Sequence, residues 1–320
     1  MRVDNIQKTN FKGALNNKLV LGALEKISDN SATFTALTAV GASLLLRPLA
    51  ISLTPKVQKE NKEHSKANSV ASGLIKLLTT CALSIPIERA IKNIENNPKS
   101  FLNQSALEFS KDKNAFNFAS QVLKLSSNIL TAIPKSALTI TLIPLLIDKF
   151  FKPKEENNKK EQIPFKGKLQ DSFTKLVSKY FNNDSIQKFS KKNKVNSTNI
   201  ARNMTAITDV LLTGSFVLNT KNNKKIDKER KNNLIYNHLI ATGLSILGGF
   251  SIDIIIQKQG RGLIEKFALA NKDNPKLTKY IQGINVLRPT IIFAFIYYGI
   301  LPIISNYFAQ KISDKEKSSQ

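Results

Sequence analysis

Apolar residues in this chain fall in long blocks separated by short charged stretches. Six blocks stand out, at about residues 31–54, 69–87, 125–147, 203–220, 234–256 and 289–309. They are longer than ordinary strands, and alternating apolar–polar runs bounded by turn pairs are scarce, so the pattern predicts an all-α chain. Crossing the hydrocarbon of a bilayer takes roughly 20 apolar residues in a helix. The sixth block, Pro289 to Ala309, carries no charge and meets that length outright. The fifth holds His238 and Asp253, the third holds Lys135, and the fourth, with Asp209, is the least apolar. The reading is a polytopic helical membrane bundle of about six apolar helices.

The blocks repeat. Phe11-Lys12-Gly13-Ala14-Leu15 recurs as Phe165-Lys166-Gly167-Lys168-Leu169, Thr35-Ala36-Leu37-Thr38 as Thr205-Ala206-Ile207-Thr208, and Ala71-Ser72-Gly73-Leu74 as Ala241-Thr242-Gly243-Leu244. This divides the chain into copy one (1–154), a charged linker (155–164), copy two (165–310) and a polar tail (311–320). Each copy reads as an amphipathic stretch followed by three apolar helices. In copy two, Leu169, Phe173, Leu176, Val177, Tyr180 and Phe181 fall on one helical face with Lys175 and Lys179 between them. Such a helix suits a membrane interface, with lysines at the headgroups, or the flank of a water-facing core.

Three crossings per copy would turn copy two upside down, the inverted repeat of many secondary transporters. Two crossings per copy would leave the copies parallel. With the long linker discounted, the Lys and Arg balance of the loops places both termini in the cytoplasm.

Charge narrows the choice of partner. The net charge of +25 points to a polyanion, a lipid surface or an acidic partner. Only seven of the 48 cations are arginine. Arginine is the residue of bidentate base and phosphate recognition, so nucleic acid is a poor candidate and anionic lipid headgroups a better one. The single cysteine, Cys81, is read as a small buried hydrophobe. His64 and His238 have no Cys or acid at ligand spacing, so no metal or other cofactor is expected. No nucleophile–base pair, paired carboxylates or Gly-rich phosphate loop suggests catalysis.

The candidate functional residues are charges where a bilayer penalises them. Arg47, Lys76, Lys135, Asp209 and Asp253 lie within apolar blocks, and Arg288 borders one. A charge near the bilayer centre costs at least ~2.5–3.5 kcal/mol, so it usually faces a bundle interior or water. The set is net cationic, which favours a small anionic solute over a metal cation. The bland alternative is internal ion pairing, for example Arg47 or Lys135 with Asp253, while Arg288 and Glu88 at helix ends could snorkel. Pro48, Pro134, Pro144, Pro289 and Pro302 are expected to kink or break helices, freeing backbone groups for a ligand. The expected function is a small transporter or channel for an anion. The alternative is a non-transporting membrane scaffold that binds anionic lipid or an acidic partner through basic loops.

Overall fold

The structure, a computed structural model, describes residues 17–55, 57, 59–130, 168–224 and 228–318. Lys135, Pro134, Pro144, the linker at 155–164 and the third apolar block beyond Leu130 lie outside the described residues. Among the described residues every regular element is helical.

Copy one begins with α1 (Lys18–Asp29), capped at its start by the Asn17 side chain, which accepts from the Leu19 N–H at 2.8 Å. Next comes α2, Ser31–Leu53, in which a π-helical turn, Ala42–Leu46, precedes Arg47 and Pro48. The third helix, α3, runs Lys59–Thr79, then a π turn Thr80–Ser84 before Ile85 and Pro86, then Ile85–Asn96. Short helices α4 (Pro98–Phe101) and α5 (Gln104–Lys111) lead into α6 (Lys113–Leu130). Copy two has α7 (Lys168–Phe181), α8 (Asp184–Asn193), a 3-10 turn, α9 (Ile200–Asn222) and the unbroken 43-residue α10 (Lys228–Ala270). It closes with α11, formed by Leu277–Ala294, a π turn Phe295–Ile300 and Leu301–Ser318.

Four helical stretches are long and apolar enough to cross a membrane: Ser31–Leu53, Asn61–Asn96, Lys231–Ala270 and Leu277–Phe308. Their apolar side chains are mostly not buried in the protein. Leu37, Leu45, Leu49 and Leu53 on α2, Leu239, Leu244 and Leu247 on α10, and Ile291, Phe295 and Ile300 on α11 all face outward. A monomer in water rarely leaves so continuous an apolar belt uncovered. Length and belt together mark the chain as a membrane protein.

Side-chain contacts fix the helix directions. Glu88 meets Ala32, Ser69 meets Ser43 and Lys62 meets Ser52, so α3 runs antiparallel to α2. Asp253 meets Arg202 and Lys231 meets Lys221, so α10 runs antiparallel to α9. Asp253 with Arg288 and Asn237 with Asn306 make α10 antiparallel to α11. The α1–α2 run lies alongside α11 in the same direction, through Glu25–Lys276, Asp29–Lys279, Thr35–Thr290 and Leu46–Gly299. Hence α2, α9 and α11 point one way, and α3 and α10 the other. Lys18 and Lys311 therefore lie at opposite ends of the bundle.

Pro48 and Pro302 do not break their helices. Proline lacks an N–H, and its ring clashes with the carbonyl four residues back. Each helix widens by one residue just before its proline, with the Arg47 N–H reaching Ala42 O and the Leu301 N–H reaching Ile296 O. Pro289 sits fully buried inside continuous helix.

One end of the bundle carries a protein core of its own. Ile87, Ile91 and Ile94 from the end of α3 pack with Phe109, Phe116, Val177 and Phe181. The Phe116 and Phe181 rings stack with centroids 4.6 Å apart. The amphipathic face of α7 thus turns onto protein, not lipid, with Val177 and Phe181 completely buried. The Tyr180 hydroxyl donates to Ala119 O at 3.3 Å, and burial pushes its pKa up to about 12.

Glu88 joins this cap to the spanning helices. It is 3% exposed, so it does not snorkel. Its carboxylate accepts from the Ala32 N–H at 2.7 Å, the Thr33 N–H at 3.1 Å and the Thr33 hydroxyl, closing the N-terminus of α2. An acidic side chain there satisfies orphan amides and complements the helix dipole. Cys81 is exposed on the π turn of α3, against the expectation of burial.

Candidate anion site

Where α2, α3, α9, α10 and α11 meet, the structure encloses a cavity of about 70 Å³. Three of the charges singled out by sequence line it together: Arg47 from α2, Lys76 from α3 and Asp209 from α9. Asn68, Ser43, Ser69, Thr213, His238, Tyr297 and Tyr298 complete its polar wall. Exposed Leu45, Leu49, Leu211, Leu239 and Ile300 are close chain neighbours of these residues, so the cavity lies at the depth of the apolar belt.

The two proline-linked π turns build much of this site. Ser43 lies within the turn of α2 and Arg47 directly follows it; Tyr297 and Tyr298 lie within the turn of α11. The turns pack on one another, with the Leu46 side chain beside Gly299. In each, the carbonyl ladder is loosened, and Ser43 O accepts from the Ser69 hydroxyl of α3 at 2.7 Å. A π turn inside an α-helix often marks a functional position.

The cationic side of the cavity is formed by Arg47 and Lys76. Arg47 is 8% exposed and its guanidinium lies 5.4 Å from the centre of the Tyr297 ring. Tyr298 and Ser43 line the wall beside it. Yet Arg47 Nε is buried with no hydrogen-bond partner. Lys76 faces Asp209 electrostatically, so two cations stand against one carboxylate. His238 stacks on Phe216 with ring centroids 3.7 Å apart, and its Nε2 is 3.5 Å from Asn68 Nδ2.

The remaining sequence candidates lie elsewhere. Asp253 and Arg288 form a separate buried group with Arg202, so Asp253 pairs with these two arginines and not with Arg47, and Arg288 does not snorkel at a helix end. Lys135 lies outside the described residues. Sequence reasoning missed Asn68, His238, Tyr297 and Tyr298 as members of the site. Two of them had a usable signal: Asn68 and His238 occupy matching positions in the two copies, at the offset that relates Ala71 to Ala241. Arg202 was missed because it precedes the fourth apolar block.

No protein family, curated protein or solved structure matches this chain, so its chemistry rests on the cavity's own atoms.

Proposed function

We propose that this chain is an integral membrane protein that binds and passes a small anion between two parallel three-helix copies. The observation that carries the reading is Arg47: a buried guanidinium at membrane depth that lines a polar cavity and whose Nε has no hydrogen-bond partner. Buried donors are nearly always satisfied, and buried guanidinium charge is costly unless compensated. Lys76 adds a second cation, and Asp209 offsets only one of the two. A cavity of about 70 Å³ holds a small ion or several waters, since one water needs roughly 10–15 Å³ by this measure.

The parallel arrangement has its own support. The first helices, α2 and α9, each touch both third helices, α6 and α11. The amphipathic α1 of copy one packs on α11 of copy two, and α8 of copy two packs on α6 of copy one. Such a duplication has its axis along the membrane normal, with the substrate site between the repeats. In this reading α9 also crosses the belt, with Ile207, Val210, Leu211 and Leu218 outward and Asp209 and Thr213 inward.

A second reading, a scaffold docked on anionic headgroups or an acidic partner, draws support from the cap. Lys175, Lys179, Lys188, Lys191 and Lys192 are all exposed on α7 and α8. Reconstituted vesicles separate the two readings. Anion flux should fall in Arg47→Gln and Lys76→Gln while anionic-vesicle binding stays the same. Absence of flux in the parent protein, or flux indifferent to both replacements, would remove the transport reading and leave the scaffold.

A further inference from the structure

Apart from the central cavity, the bundle buries a second charge group between α9, α10 and α11. Asp253 is completely buried. Arg288 reaches it from α11, with Nε to Oδ1 at 2.7 Å and Nη2 to Oδ2 at 3.3 Å. Arg202 reaches it from α9, with Nη1 to Oδ2 at 3.3 Å. The two arginine side chains are 9% and 10% exposed.

One carboxylate thus faces two guanidiniums, and a positive charge is left over. The other contacts do not neutralise it. Arg288 Nη2 also points to Thr198 O at 3.4 Å, and the Arg202 guanidinium lies 4.9 Å from the centre of the Phe250 ring. Two buried donors remain without an acceptor: Arg202 Nε and Arg288 Nη1, one on each arginine. A water could accept from both but would leave the charge in place. An anion answers the missing acceptors and the surplus charge at once, and charge-assisted bonds to guanidinium are the stronger kind.

We infer that Arg202 and Arg288 hold one small monovalent anion, of halide size, against Arg202 Nε and Arg288 Nη1, while Asp253 orients both guanidiniums. The site is independent of the central cavity and does not rest on the transport reading.

The test uses the full chain in detergent, carrying Arg47→Gln and Lys76→Gln so that the central cavity no longer attracts anions. Thermal unfolding is followed while chloride replaces gluconate at constant ionic strength. A ligand bound only by the folded state raises the midpoint steadily once its concentration exceeds Kd. The expected result is a chloride-dependent rise that disappears when Arg202→Gln is added. That variant keeps the Arg288–Asp253 pair, now neutral, so it has no surplus charge to drive unfolding. No chloride-specific rise, or one that survives Arg202→Gln, overturns the proposal. Should the Arg202→Gln protein not fold, Asp253→Asn decides. Asn keeps one oxygen to orient the guanidiniums while the uncompensated charge doubles, so the rise must begin at lower chloride; an unchanged response overturns the site.

Discussion

Asn68 and His238 stand 170 positions apart in the chain and 3.5 Å apart in the fold, amide Nδ2 to ring Nε2. They stand at the sequence offset that relates Ala71 to Ala241. In the proposed parallel duplication, equivalent residues would touch only close to the axis relating the copies, which this contact would put at the cavity wall. The wall is not uniform in charge: the first half of the chain supplies Arg47 and Lys76, and the second supplies Asp209 and the aromatic pair Phe216 and His238.

The central cavity predicts opposite effects for two neutralising changes. Arg47→Gln should weaken binding of a small anion about 10- to 100-fold, the worth of a charged hydrogen bond. Asp209→Asn should strengthen it, because the carboxylate competes with the ligand for Lys76. Anion titrations by calorimetry on the purified protein check both. Weakening by both changes would contradict an anion site.

Glu88 should be a structural keystone. Replacing it with Ala strands the Ala32 and Thr33 N–H groups and the Thr33 hydroxyl, and leaves buried Lys124 without its facing carboxylate. A loss of about 3–5 kcal/mol is expected. Glu88→Gln keeps one acceptor oxygen and should lose less. Unfolding of the two variants in mixed micelles gives the comparison.

Two glycines make a contrasting pair. The Leu24 carbonyl of α1 packs directly against Gly283 of α11, in space that a Cβ would need. Gly283→Ala should cost about 1–3 kcal/mol through overpacking. Gly22, on α1, has nothing within 4 Å of such a Cβ. There Gly22→Ala should be neutral or gain about 0.4–1 kcal/mol by restricting the unfolded chain. Similar unfolding midpoints for the two would argue against close packing of α1 on α11.

Acid should loosen the cap at one identifiable point. Asp112 accepts from Lys194 Nζ at 2.7 Å and from the Ala115 N–H at 3.1 Å. Lys194, followed by that amide, holds the Asp112 carboxyl below its ordinary value. A carboxyl more acidic in the folded state than in the unfolded one stabilises the fold above its unfolded pKa, about 3.9. That contribution fades as pH falls through the lower folded value. Amide exchange in the first turn of α6 should therefore quicken below about pH 4 relative to Asp112→Asn, which has no proton to take up there. A pH response that persists unchanged in the Asn variant would rule out this pair as its source.

Membrane sidedness follows from helix direction. With Cys81 replaced by Ser, single cysteines at Lys99 and Lys221 should label from opposite faces of sealed vesicles, and so should cysteines at Lys18 and Lys311. Labelling of both members of a pair from one face would break the parallel arrangement.

Much of this architecture was legible along the chain, because helix formation and bilayer burial both depend on the local run of apolar residues. The blocks at 31–54 and 289–309 needed no partner to be recognised. The fourth block looked weak because its polar residues turn inward: Asp209 and Thr213 lower its average hydropathy while lining the cavity. The embedded charges at Arg47, Lys76 and Asp209 were recognisable as exceptions, since a bilayer penalises any charge without a partner. Their common destination was not.

What the sequence determined by itself was helix and membrane, each a property of a residue and its near neighbours. Tertiary structure alone decided that α2, α9 and α11 run one way and α3 and α10 the other, that prolines 48 and 302 widen their helices rather than break them, and that Asp253 belongs to Arg288 and Arg202. Charges pair with whatever the packing brings within a few ångströms, and spacing along the chain does not encode that distance. Two arginines 86 positions apart, Arg202 and Arg288, share one carboxylate only because three helices converge there.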